Sequence, residues 1–523
     1  MNTNVFVQGK TWLFMFLFLF VGVANAKAEI LLTDSLTVTG FVRQMVGVHA
    51  AGPNPNNKDS RYSVGQEDNN SINLSRTQIQ TEWTYKPTDT FKLFANMRFI
   101  WDQTDSLDSD LESYDAFPLS TPHYGTTLRA GHDEEVMAEI WELYADLTLG
   151  PLWLRIGKQQ IVWGEMFGWR IMDTINPLDL SWHFRLEPEE FREIRIPQWS
   201  IRAVYNIEQN AIPWLRDLYI EGFLNPGDVF PNRNPDPGAP FRFSPYKTHD
   251  VLNECDRYGE EEFGFRLGYS IGGVTGTLNY LRQYAQSGIW AYTGQDAATI
   301  PGPPVGPPGF LPSPPWPPGS FNNYYYDVEY PKTNIYGMTL NYAFDIPINT
   351  VLTIEGKCIT DQAYYNAEPE GNLGPPPPAS FTERQTWNYG VQLQRFTFVF
   401  PRPTNAMNIA LQFNQTIIEG DDDTIKFTPG PHDDDTNSLD KRKNQLGLNC
   451  MQFFWYNQIV ASFKVLYDLD GAYLINPGFK YRHGDNWYFG LYANFLGGSD
   501  RRAGKFGSMY WADDVYARIT YQF

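Results

Sequence analysis

Residues 509–523, MYWADDVYARITYQF, decide how this chain is read. Trp511, Val515, Ala517, Ile519, Tyr521 and Phe523 fall on one side of an extended backbone, with Asp513 the one polar exception. Tyr510, Asp514, Tyr516, Arg518, Thr520 and Gln522 fall on the other. Successive side chains of a strand point to opposite faces, so a period of two separates an apolar face from a polar one. A strand crossing a bilayer as part of a barrel needs ~9–11 residues patterned this way. The chain ends on the pattern itself. The final Ile519, Tyr521 and Phe523 resemble the sorting signal that the assembly machinery of bacterial outer-membrane barrels reads.

The alternation recurs along nearly the whole sequence. Trp487, Phe489, Leu491, Ala493 and Phe495 are set against Tyr488, Gly490, Tyr492 and Asn494. Met407 to Phe413, Trp387 to Leu393 and Phe91 to Trp101 repeat the theme. Tight turns such as Pro87-Thr88-Asp89, Gly150-Pro151, Gly272-Gly273 and Gly484-Asp485-Asn486 alternate with long polar loops at 51–72, 103–135, 164–195, 227–259, 288–330, 366–381, 419–440 and 498–508. Short turns on one side and long loops on the other are the habit of transmembrane barrels. The expected strands lie near 35–50, 73–86, 89–102, 136–149, 152–163, 196–207, 215–225, 261–271, 274–287, 331–344, 348–364, 383–399, 405–418, 442–456, 458–468, 472–482, 485–497 and 509–523. The fold class is therefore all-β, a single closed antiparallel transmembrane barrel of about 18 strands, with 16 as the alternative count. A barrel of that size encloses more space than strand side chains fill. Either something passes through or a loop folds in.

The start of the sequence sets the compartment. Lys10, the apolar run Trp12 to Val23 and the small-x-small Ala24-Asn25-Ala26 read as a secretory signal peptide over 1–26. The barrel then occupies 27–523, in the outer membrane. No later stretch offers 18 uncharged apolar residues, so a spanning helix is not expected. Aromatics make up 16% of the chain, enough for belts at two membrane interfaces, yet mean hydropathy is −0.41. A barrel reconciles the two, because half of each strand faces a wet interior. The formal charge of −20 argues against a nucleic-acid partner. Cys255, Cys358 and Cys450 are too far apart for a C-x-x-C metal or redox site. One disulfide among them is conceivable in an oxidising compartment, and separate strands disfavour it.

One stretch is more specific than periodicity: Gly157-Lys158-Gln159-Gln160-Ile161-Val162-Trp163-Gly164-Glu165, then Ile175-Asn176-Pro177-Leu178-Asp179, continuing through Arg185, Glu187 and Glu193 to Ile196-Pro197. It resembles the outer-membrane family catalogued as domain of unknown function 1302, whose members carry a similar G-[RK]-Q, W-G-E, I-N-P-x-D run. The resemblance implies a porin-like barrel that helps move hydrophobic small molecules, often beside export pumps with periplasmic or inner-membrane transport partners. Gly164 permits a sharp bend and Asn176-Pro177 starts a turn, so 164–195 is expected to fold into the lumen. Trp163, Glu165, Arg170, Asp173, Asn176, Asp179, Arg185 and Glu187 would line the constriction or pin the loop to the wall.

On the inferred inner faces Arg98, Arg155, Arg202, Arg266, Lys357, Lys480 and Arg518 oppose Glu142, Asp146, Asp217, Glu221, Glu355 and Asp514. A strongly ion-selective pore would show a ladder of one sign. Pairing across strands to hold the wall, or a pathway for a partly hydrophobic solute, both fit this mixture. Asp421, Asp422, Asp423, Asp433, Asp434 and Asp435 crowd one loop. They are at most a Ca²⁺ site bridging to lipopolysaccharide, and a solvated acidic loop is the simpler reading. The 294–323 segment is Pro- and Gly-rich, a stiff outer loop. No nucleophile-elbow, zincin or phosphate-loop motif occurs, so neither catalysis nor a cofactor is expected. The reading is a passive channel or transporter for small hydrophobic or amphipathic solutes, in contact with outer-membrane lipid. The alternative is a structural or adhesive barrel with a plugged lumen.

Overall fold

The computed structural model describes residues 30–51, 72–103, 129–132, 136–180, 191–207, 214–229, 232, 248–250, 261–286, 288–295, 324–345, 348–366, 381–399, 405–420, 425–426, 441–498, 506, 509 and 512–523. Eighteen long strands make the wall. They are β1 (Leu36–His49), β2 (Ile72–Tyr85), β3 (Phe91–Asp102), β4 (Val136–Leu149), β5 (Leu152–Gln159), β6 (Gln198–Asn206), β7 (Leu215–Asn225), β8 (Glu262–Ile271) and β9 (Val274–Tyr284). The second half is β10 (Lys332–Phe344), β11 (Thr350–Asn366), β12 (Phe381–Thr397), β13 (Met407–Ile418), β14 (Arg442–Phe454), β15 (Ile459–Asp468), β16 (Ala472–His483), β17 (Trp487–Gly498) and β18 (Asp514–Gln522). Each pairs antiparallel with its sequence neighbours.

The ring closes where β18 meets β1, in register from Phe41↔Gln522 to His49↔Asp514. Phe523 extends the seam: its N–H donates to Gly40 O at 2.9 Å, and Gly40 N–H donates to its carbonyl at 2.8 Å. Closure matters because hydrocarbon supplies no water to an unpaired backbone edge. Below the seam, Ile30–Thr33 pairs with the start of β1 and takes over the edge that β18 leaves. A small separate sheet joins Thr248–Asp250, Ile289–Gln295 and Tyr324–Glu329 beyond β9 and β10. Beyond Gln295, the Pro-rich run lies outside the described residues, as do residues 1–29 and the two triple-aspartate clusters.

Burial is inverted relative to a protein that faces water on its outside. On β18, Val515 and Ile519 are 38% and 46% exposed, whereas Asp514 and Arg518 are 0% and 4%. Phe265, Leu278, Leu411 and Leu491 are likewise exposed, and Asn96, Glu355 and Asn494 are buried. An exposed apolar band of this extent is stable only against acyl chains, which places the wall in a membrane. No helix among the described residues is long and apolar enough to cross one.

Two expectations need correction. The strand expected over 152–163 stops at Gln159, because Ile161 N–H leaves the ladder to donate to the Asn176 side chain at 2.7 Å. Asp217, read from alternation as inward, has φ 52° where the β7–β8 register slips, and is exposed. Of the cysteines, Cys358 and Cys450 are free thiols on β11 and β14, and Cys255 lies outside the described residues.

Candidate functional site

The site begins where β5 ends. Gly157 has φ +136°, and a Cβ there would stand 2.2 Å from Leu143 O and 2.7 Å from Tyr144 Cα, so only glycine lets β4 and β5 approach this closely. The next residues tie the strand end to its neighbours. Lys158 Nζ donates to Ile140 O at 2.9 Å, and Gln159 Nε2 donates to Ser200 O at 3.0 Å. Buried Asn176 then clasps the two ends of the following segment: its Oδ1 accepts from Ile161 N–H, and its Nδ2 donates to Ile196 O at 2.8 Å. An antiparallel bridge, Leu178↔Arg195, and the bonds Asp179 N to Ile194 O and Ile196 N to Pro177 O complete the clasp. The spelling of the motif thus has a local cause: a β-strand must leave the wall and return.

Between the clasped ends, residues 160–180 run against the inner side of the wall. Three inward side chains on adjacent strands, Glu355 (β11), Gln392 (β12) and Gln412 (β13), accept from successive backbone amides. Glu355 takes the N–H groups of Glu165, of Met166 at 3.2 Å and of Met172 at 3.0 Å. Gln392 accepts from Phe167 N–H at 3.1 Å. Gln412 accepts from Gly168 and Trp169 N–H, both at 3.0 Å, and returns a bond to Trp169 O at 2.6 Å. A segment lifted off its own ladder must place its backbone donors somewhere, and here the wall accepts them.

Apolar side chains of the segment dock where the wall has none. Met172 sits over Gly337, where a Cβ would come within 2.3 Å of its sulfur. Ile171 and Met166 sit over Gly390, and Trp163 over Gly264. Trp163 also donates from Nε1 to Glu221 at 2.8 Å and meets Phe223 edge-on at 5.6 Å. Further along, Trp169 lies 5.6 Å from Phe506, which with Met509 and Ala512 packs on Leu466, Leu474 and Leu496. The short helix α1 (Phe191–Ile194) closes the far side: Glu193 accepts two bonds from Arg43 Nη1, at 2.8 and 2.9 Å.

Several of the inward charges are paired. Arg98 bonds Glu139, donates to Glu193 O at 3.0 Å, stands 3.5 Å from Asp179 and stacks 3.4 Å above Trp141. Arg155 grips Asp146 with two bonds at 2.6 and 3.0 Å and lies 3.7 Å over Tyr144. Glu221 receives Arg202 at 2.7 Å and stands 3.9 Å from Arg266. Arg518 donates to Tyr492 Oη at 2.8 Å, and Tyr492 stacks on Tyr516 at 5.3 Å.

Of the residues singled out from the sequence, Trp163, Glu165, Arg170, Asp173, Asn176 and Asp179 meet in this inner segment. Arg98, Arg155, Arg266 and Arg518 stand on the wall, and Arg185 and Glu187 lie outside the described residues. Sequence reading missed Gln392 and Gln412 as anchors, and Arg43 and Arg195 as partners. Inward glutamines in a period-two pattern carry no signal beyond polarity until the segment they hold is in place. Among the described residues no cluster of His, Cys, Asp and Glu forms a metal site.

Outside the spanning strands, Asp228 follows β7 on the outer side. Burial pushes its carboxyl up to about 6, opposed by the Trp199 N–H bond at 2.7 Å and by the charge of Lys158.

A family model described as "Protein of unknown function (DUF1302)" matches residues 13–523. No curated protein matches the sequence. Among solved structures, OccAB2 of Acinetobacter baumannii shares 11% identity over 94% of this chain and 98% of its own, with a TM-score of 0.45. OccAB3 of the same organism shares 8% over 94% and 99%, also at 0.45. The outer membrane channel DcaP of Acinetobacter baumannii shares 9% over 93% and 97%, at 0.37.

Proposed function

The chain belongs to the DUF1302 family, and from that premise we propose that it is a passive outer-membrane channel for small amphipathic solutes, narrowed by its own inner segment. One observation carries the reading. The lumen is shaped by a chain segment held on built anchors at mid-wall, Glu355, Gln392 and Gln412, and that segment presents exposed Phe167 two residues from exposed Glu165. Apolar and charged surface side by side suits a solute that carries both. Paired wall charges interleaved with Trp141, Tyr144 and Tyr492 support the same class: among the described residues no ladder of one sign draws simple ions. Its outward face would meet outer-membrane lipid and, at the outer rim, lipopolysaccharide. Its closing seam, ending in Phe523, would be what the barrel-assembly machinery engages.

Reconstitution tests this directly. Purified protein in a planar bilayer is expected to conduct, and proteoliposomes are expected to pass aromatic acids and alcohols faster than sugars of equal size. The second reading, a sealed structural or adhesive barrel, draws on the density of apolar docking at Gly264, Gly337 and Gly390. A silent bilayer together with impermeable liposomes would establish it in place of the channel.

A further inference from the structure

Directly above the anchor row, three cations from three elements gather at one place. Arg170 Nη1 donates to Asp173 Oδ2 at 2.6 Å, and Arg195 donates to the same oxygen from Nε at 3.0 Å and from Nη2 at 2.7 Å. The third is Lys357, two residues beyond Glu355 toward the outer end of β11. It faces inward between Gly337 and Asn388, and Glu355 and Asp173 are the charges it feels. Among the described residues it has no hydrogen-bond or ion-pair partner. Glu355 is committed to three backbone amides of the inner segment. Glu165, the remaining nearby acid, bonds Asn341 at 2.7 Å, on the periplasmic side of the anchor row. Among the described residues, the Lys357 ammonium therefore stands beside the Arg170–Asp173–Arg195 cluster with no acid in direct contact.

We propose that this is a subsite for the carboxylate group of a solute entering from the outer side, with Lys357 as its principal partner and the Arg170–Asp173–Arg195 cluster behind it. The proposal rests on the channel reading and names the solute class: small amphipathic monocarboxylates. One ammonium without a contact suits a monoanion, since a phosphate dianion would bring a second charge with no partner into a partly buried place. A flexible lysine ammonium offers donors in several directions, which suits a carboxylate that must also leave. Lys357 is partly exposed, and the Arg170 and Arg195 side chains are 13% exposed, so all three can be reached from the lumen.

The test uses the intact barrel, with benzoate as probe and benzamide as its uncharged match. Benzoate added on the outer side is expected to block current through single channels, with benzamide inert at the same concentration. Lys357→Gln is expected to weaken the block at least about tenfold, the loss of one charge-assisted bond. Lys357→Arg should restore most of it. Lys480→Gln, a lumen cation away from the cluster, should leave it unchanged. Equal block by benzoate and benzamide, or the same benzoate affinity in wild type and Lys357→Gln, overturns the proposal. Calorimetric titration of benzoate into protein in detergent separates the two readings. Lys357-dependent binding with no conductance keeps the subsite and removes the channel. Conductance without benzoate binding removes the subsite alone.

Discussion

Replacing Glu355 by alanine should release the inner segment without opening the barrel. The carboxylate is fully buried and accepts three amide N–H groups, those of Glu165, Met166 and Met172. Hydrogen bonds to a charged acceptor contribute ~1.5–3 kcal/mol each. Lumen water can partly replace the carboxylate, so the lower figure applies, and the three together are worth about 4.5 kcal/mol. At ~1.4 kcal/mol per decade this is roughly a thousandfold in the local opening equilibrium. The backbone of Glu355 stays paired with Thr339 and Gly390, so the wall keeps its ladder. Hydrogen exchange read by mass spectrometry on protein in detergent is the assay. Peptides covering 165–172 should exchange about a hundred to a thousand times faster in Glu355→Ala, and those covering β11 and β12 at the wild-type rate. Acceleration below about tenfold at 165–172 would refute the claim that this carboxylate holds the segment.

Other outcomes follow from the same geometry. Gly390→Val places a Cβ 2.7 Å from Ile171 Cδ1 and 2.3 Å from Asn414 Oδ1. It should displace the inner segment at a cost of ~1–3 kcal/mol and raise unit conductance while strand content is kept; unchanged conductance would count against a docked constriction. Gly157→Ala puts a methyl group 2.2 Å from Leu143 O at a backbone angle that L residues rarely adopt. Heat-modifiable folded barrel recovered from the outer membrane should fall several-fold, and wild-type recovery would mean that β4 can retreat. Asp228, raised by burial to about 6 against ~3.9 when unfolded, binds its proton more tightly in the native state. Its contribution is full below about pH 4 and is lost as pH rises through about 6. Thermal unfolding in detergent should therefore show wild type losing stability from pH 4 to pH 7 relative to Asp228→Asn, and parallel pH profiles would remove Asp228 as the cause.

The wall was legible from the sequence because it depends on a rule that acts residue by residue. Hydrocarbon outside and water inside force period-two alternation on every strand, and MYWADDVYARITYQF states that rule without help from the rest of the chain. Turn chemistry added the order of connections, and eighteen strands read along the chain are the eighteen that pair. The motif from Gly157 to Pro197 also showed that something special happens after β5. What it could not show is what the segment touches. Glu355, Gln392 and Gln412 lie 183 to 244 residues from the amides they accept, and Gly337 and Gly390 matter only because Met172 and Ile171 sit on them. Those meetings are set by the order of strands around a closed ring, a long-range property that local pattern does not carry. Whether Lys357 stands unpaired above its anchor row, while Arg98 and Arg155 a few strands away are consumed by partners, was likewise decided by tertiary structure alone. All three are cations on the inner face, and what differs is the residue beside each on the adjacent strand: Glu139 for Arg98, Asp146 for Arg155, Gly337 and Asn388 for Lys357.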